Sequence, residues 1–369
     1  MRLLREGYSE RLFLLTDERW GTIVRKQTKP EINGNLGSLS AEIAWLEEVP
    51  PAVHRYFPQV LRSSKHAENG HPIFYDMPYF GEGWVLLSDL ILNHQLDREQ
   101  EVALIGHILQ IMFDEIFAVT YPEETAAYPD RLVALLEGYA YRLSNLPTFS
   151  QLITSEIVTI NGTSLPNIFP LLSAIKNSDC LREQLRPRIV CKVHGDLYPD
   201  NILVYAPSVS QPCPQFVLID PLAPLGIGRG DFAIDIAKFT SWLSAELLAL
   251  RLGLFSVQSQ QDDPSKIPVF TLIFHTDNRQ LQALSDRALF WQLLRLLETA
   301  PWAQPICGMN QNWQQRESFY KALYALSMVP IVPAPQNLAR FLTGLQHLHD
   351  FVSGKGSAEP RVRTTAVTA

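Results

Sequence analysis

His194-Gly195-Asp196-Leu197-Tyr198-Pro199-Asp200-Asn201, followed by Leu218-Ile219-Asp220, is the stretch from which this sequence is best read. Asp196 and Asn201 flank a Pro-Asp turn, so one loop can aim both groups at one point. Residues 202–205 and 216–219 read as short strands, and the Pro-, Ser- and Gln-rich run between them reads as an exposed loop. The second strand delivers Asp220. A carboxylate can orient a hydroxyl nucleophile, while an amide oxygen and a second carboxylate can hold magnesium against a triphosphate. Phosphoryl transfer is mostly positioning and charge neutralisation, so these three side chains supply most of what it requires. A loop whose Asp and Asn merely satisfy backbone groups is the structural alternative. The order of loop, strand, hairpin and strand-terminal Asp favours the chemical reading.

Upstream, residues 12–16 and 22–25 are strand-like and joined by Asp17-Glu18-Arg19, which predicts a hairpin. Ser40 is placed to cap a helix over 41–47 that stops before Pro50-Pro51. Residues 72–79 read as a further strand, and Phe80-Gly81-Glu82-Gly83 as a flexible connector. Beyond it the periodicity is helical over 99–117, 131–143, 234–252 and 281–299. Residues 256–265 read as a surface insertion, and the chain from 353 onward as a loose tail.

The motif H-x-D-x-x-x-x-N with its strand-terminal Asp resembles the aminoglycoside phosphotransferase and choline kinase superfamily, and the resemblance runs from about Gly7 to Phe239. It implies an α+β, two-lobed, protein-kinase-like fold. A small β-rich N-lobe would span 1–80 and a larger helical C-lobe 81–352, with the tail at 353–369. It implies an ATP- and magnesium-dependent enzyme that phosphorylates a hydroxyl of a small molecule. Asp196 would be catalytic, and Asn201 and Asp220 would hold the metal.

The resemblance extends to softer nucleotide-site candidates. Gly7-Tyr8-Ser9-Glu10 is similar to the family's G-x-S-N loop, which nominates Gly7 and Ser9, with Glu10 where Asn is common. Ile23-Val24-Arg25 aligns with an apolar-apolar-Lys pattern, so Arg25 is preferred as the phosphate-reaching cation. Lys26 is the more usual residue type but faces the opposite side of the strand. Glu42 is the candidate ion-pair partner. In the segment Met77-Pro78-Tyr79-Phe80, the Pro78 carbonyl and the Phe80 N–H would pair with adenine; Pro78 lacks an N–H but keeps its carbonyl. His194, Asp231 and Asp235 are assigned structural roles.

Composition sets the outer limits. The 369 residues are 46% hydrophobic and 19% charged, which suits a globular protein. No apolar run reaches a membrane span, and Met1-Arg2-Leu3-Leu4-Arg5-Glu6 turns polar too soon for a signal peptide. Cys180, Cys191, Cys213 and Cys307 form no C-x-x-C pair, so a cytoplasmic protein with reduced thiols is expected. A net charge of −7 without a basic stripe speaks against a nucleic-acid partner. From Gly81 to Cys180 there are thirteen acidic residues against four basic ones. These read as solvated helix faces, or as a cleft for a cationic acceptor. The alternatives carried forward are a sugar or polysaccharide-precursor kinase, a protein kinase and a binding-only pseudokinase. The acceptor and the oligomeric state are not specified by the sequence.

Overall fold

The computed structural model describes residues 1–7, 10–29, 36–65, 72–222, 225–260, 267–286 and 289–355. Ser9 and the expected tail from 356 onward lie outside these residues. The chain packs into two compact units that interleave in sequence. The first comprises 1–116 and 194–228, the second 117–193 and 229–369. This division differs from a cut at residue 80, because the loop at 194–201 and its hairpin pack with the N-terminal strands.

The first unit is built on a five-stranded antiparallel sheet. Its strands are β1 (Arg2–Glu6), β2 (Glu10–Asp17), β3 (Gly21–Thr28), β4 (Arg62–Ser64) and β5 (Phe74–Pro78), in the order β1-β2-β3-β5-β4. The β2–β3 hairpin turns because Asp17 Oδ1 accepts from the N–H groups of Arg19 (2.9 Å) and Trp20 (3.3 Å), and Gly21 takes a φ of 69°. Helix α1 (Leu36–Glu47) begins four residues before Ser40, which is therefore a helical residue and not the expected cap. Pro50 and Pro51 follow it and start a short 3₁₀ turn. A second, three-stranded sheet contains Trp84–Leu86, Ile202–Tyr205 and Phe216–Leu218, with the middle segment paired to both others. Helix Arg98–Ile111 starts with a capping box made by Asp97 and Gln100.

The second unit is mostly helical. Trp313–Met328 is buried without interruption from Arg316 to Ser327, as befits a central helix. The helix expected over 234–252 is two helices, Ala233–Leu243 and Glu246–Leu252, separated where Ala245 adopts a φ of 66°. The expected surface insertion is corrected in part. Phe255–Ser259 pairs with Val269–Phe274, which runs parallel to Ile157–Ile160, giving a four-stranded sheet; 261–266 are not described. Helical and strand-rich parts together make an α+β protein, as expected. Among the described residues, no helix is long and apolar enough to cross a membrane.

Candidate active site

Every described site residue lies in the first unit. Lys26 is buried on β3, and its Nζ donates to Glu42 Oε1 (2.9 Å) and Oε2 (2.7 Å) and to Asp220 Oδ1 (2.9 Å). Tyr75 on β5 donates its hydroxyl to Glu42 Oε1 at 2.8 Å, which fixes the carboxylate from a second strand. Arg25 is on the opposite face of β3. There its guanidinium grips Asp76 through two hydrogen bonds, of 2.7 and 3.0 Å, and stacks on Phe74. The preference for Arg25 over Lys26 is therefore corrected. Strand alternation puts the two residues on opposite faces, and Glu42 from α1 meets the face of Lys26.

Burial alone would raise the Asp220 carboxyl, but the charge and hydrogen bond of Lys26 outweigh it, and the net shift is downward. Burial pushes Glu42 up to about 7 despite Lys26, and the neighbouring charge of Asp220 adds to that rise. One ammonium thus faces two carboxylates, leaving a surplus of negative charge. Asp220 also adopts a left-handed backbone, φ 57°, a conformation that costs a non-glycine residue about 1–3 kcal/mol.

The loop at 194–201 is tied to that position by its own hairpin. Ile219 N–H donates to Asn201 O at 2.9 Å, directly before Asp220. Both hydrogens of the Asn201 amide are spent on Asp196, one on its main-chain oxygen and one on Oδ2, each at 2.9 Å. This geometry leaves Asn201 Oδ1 as the end able to meet a cation. It also sets the direction of the Asp196 carboxylate. Gly195 has a φ of 80°, and a Cβ there would lie 2.6 Å from Ile227 O, so only glycine lets the loop sit this close. Burial drives His194 down to about 3, against the opposing effects of Asp220 and of a hydrogen bond with the Ile219 main chain. The ring is neutral at ordinary pH and serves as a support. Its Nδ1 accepts from the Asp196 N–H at 3.3 Å, and Trp45 of α1 packs against it edge-on.

The donor set fits magnesium. Asp220 is an ionised carboxylate with 24% of its side chain exposed, and Asn201, whose main chain pairs with that of Ile219, offers a neutral oxygen. Among the described residues no group of three or more His, Cys, Asp or Glu side chains could cage a metal. A small set of this kind suits a cation that arrives with phosphate oxygens as its remaining ligands.

Gly7 donates to Glu10 O at 2.9 Å and closes the turn from β1 to β2. Gly7 directly follows β1 and Glu10 begins β2, so this candidate nucleotide loop joins two strands. At the other end of the sheet, Tyr79 N–H is directed at Thr22 O (3.4 Å). The two ends of a trans peptide point oppositely, so the Pro78 carbonyl is turned away from β3. Phe80 packs on Trp84, with ring centroids 5.1 Å apart. A separate cleft of about 520 Å³, bounded by Leu46, Val49, His54 and Phe57, contains none of these residues.

Several of the acids between Gly81 and Cys180 are paired on their own unit. Glu124 pairs with Arg131 and Arg229, Asp130 with Arg182 and Glu137 with Lys176. Glu82, Asp114 and Glu115 are exposed. Asp231 in the second unit is buried and held by Arg316, in keeping with a structural role.

No family model matches this chain, and no curated protein does. Solved structures resemble it at low identity. A putative aminoglycoside phosphotransferase from Ralstonia eutropha is 12% identical over 95% of this chain and 91% of its own, with a TM-score of 0.49. A glucosamine kinase in complex with glucosamine, ADP and inorganic phosphate is 14% identical over 94% and 80%, with a TM-score of 0.46. Choline kinase from Cryptosporidium parvum is 12% identical over 96% and 90%, with a TM-score of 0.41. The functional reading rests on the side chains of this chain.

Proposed function

We propose that this protein transfers the γ-phosphoryl group of ATP, with magnesium, to a hydroxyl of a small molecule in the cytoplasm. The observation that carries the reading is the Lys26–Glu42–Asp220 cluster, coupled through the hairpin to the Asp196–Asn201 pair. Lys26, steadied by Glu42, places a fixed positive charge where phosphate oxygens can meet it. Asp220 and Asn201 Oδ1 would hold the magnesium, which when bound offsets charge on the transferring phosphates. Asp196, oriented by the Asn201 amide, accepts a hydrogen bond from the acceptor hydroxyl and aligns it for attack. Burial keeps His194 neutral, and its Nδ1 supports the loop through the Asp196 N–H. The Pro78 carbonyl and the Phe80 N–H are the proposed adenine contacts, and Gly7 and Ser9 are the proposed contacts to the phosphates.

The test is a phosphate-transfer screen with γ-labelled ATP and magnesium over sugars, amino alcohols and amines. The proposal expects label on one class of hydroxyl compound, and loss of that label in Asp196→Asn. Label transferred only to protein substrates would favour a protein kinase. Tight nucleotide binding with no transfer to any acceptor would favour a pseudokinase.

A further inference from the structure

The pairing of β1 with β2 is out of step in one place. Arg2 stands opposite Leu14 and Leu3 opposite Phe13, but the next residue in register is Arg5, opposite Leu12. Leu4 is thus the extra residue of a β-bulge. Directly opposed residues share a face of a sheet, and the register continues as Arg5–Leu12–Lys26–Tyr75 across four strands. Without the bulge Leu4 would stand opposite Leu12, and Arg5 would stand opposite Arg11 on the other face. One inserted residue therefore re-aims Arg5 onto the face that carries Lys26.

Two strand spacings of about 4.8 Å put the Arg5 backbone roughly 10 Å from that of Lys26. Arg5 is exposed, so its guanidinium is open to a ligand on that face. Gly7 and the turn to Glu10 follow it directly. Glu10, opposite Thr28, lies on the same face. The face thus carries the carboxylates of Glu10, Glu42 and Asp220 beside Lys26. A polyphosphate approaching it meets several carboxylates beside one ammonium, so a second side-chain cation would add to what Lys26 and the proposed magnesium supply. A planar guanidinium is suited to take two phosphate oxygens at once.

We infer that Arg5 is a second phosphate-binding cation of this site, re-aimed by the Leu4 bulge to grip the nucleotide's polyphosphate together with Lys26. This rests on the nucleotide reading above. It is tested by calorimetric binding of magnesium–ATP and of adenosine to the wild type, Arg5→Gln, Arg5→Lys and Lys26→Met.

Arg5→Gln should weaken magnesium–ATP binding about tenfold or more, as loss of a charge-assisted hydrogen bond implies, and leave adenosine binding unchanged. Arg5→Lys should recover part of the loss. Wild-type ATP affinity in Arg5→Gln, with Lys26→Met weakened, overturns the role of Arg5 and leaves the site standing. Equal losses for ATP and adenosine in Arg5→Gln would mean a distorted strand, and would overturn it too. Unchanged binding in Lys26→Met as well would overturn the reading of the site itself.

Discussion

Two buried charge clusters, one in each unit, are made of similar parts and differ in charge balance and exposure. In the second unit Arg316 holds Asp231, with side chains 2% and 0% exposed. Asp231 Oδ2 also accepts from the Tyr320 hydroxyl at 3.4 Å, and the Tyr128 hydroxyl, 3.2 Å from that of Tyr320, can donate to it in turn. One cation meets one carboxylate, so the charges balance, although Arg316 Nη2 is buried without a partner among the described residues. In the first unit one ammonium meets two carboxylates, and Asp220 is partly exposed on a left-handed backbone. The closed cluster is suited to holding helices together. The open one carries surplus negative charge and strain, a combination that recurs where a further cation takes part in function.

The contrast breaks most sharply on turnover. Asp196→Asn, beside the open cluster, should reduce phosphoryl transfer by about 10²–10⁴-fold and leave ATP affinity close to wild type. A variant that keeps half the wild-type rate would remove Asp196 from the chemistry.

Stability should divide the clusters the other way. Arg316→Met strands a buried carboxylate and should cost about 3–5 kcal/mol in urea unfolding. Lys26→Met should cost less, because Glu42 is already inclined to hold a proton and Asp220 reaches solvent. Equal losses would erase the distinction between the two clusters.

A smaller effect separates them by pH. The folded Glu42 carboxyl titrates at about 7 against an ordinary 4.5, so the folded state holds a proton that the unfolded chain releases between those values. Its contribution to stability therefore falls as pH rises through that window. Stability measured from pH 4.5 to 7 should fall less steeply in Glu42→Gln than in the wild type. Parallel curves would show that Glu42 ionises normally. The least effect belongs to Arg25→Gln, since Arg62 still holds Asp76. It should cost about 1 kcal/mol in stability and leave the ATP affinity unchanged. A tenfold loss of ATP affinity would return Arg25 to the site.

The segment 194–220 was legible because its information is local. The Pro-Asp turn, the two short strands and the strand-terminal Asp all act within a few residues of one another. The choice between Arg25 and Lys26 was not local. Alternation puts them on opposite faces, but only the approach of Glu42 from α1 decides which face is the inner one. β1 lacks a strand signature in the sequence because Leu3 and Leu4 are adjacent and not alternating, a pattern that the Leu4 bulge explains. The strand Phe255–Ser259 is polar at its end and gains its place by pairing with Val269–Phe274, which no reading of 256–265 alone could supply.

The central claim, that the open cluster is a metal–nucleotide site, is tested most directly by titrating ATP into the wild type and Asp220→Ala, each with and without magnesium. An anionic ligand holds a divalent cation more strongly than a neutral amide, so Asn201→Ala should show a lesser loss. The account predicts one saturable, magnesium-dependent site in the wild type, with that dependence abolished in a folded Asp220→Ala. Binding of equal strength and equal magnesium dependence in both proteins would contradict it.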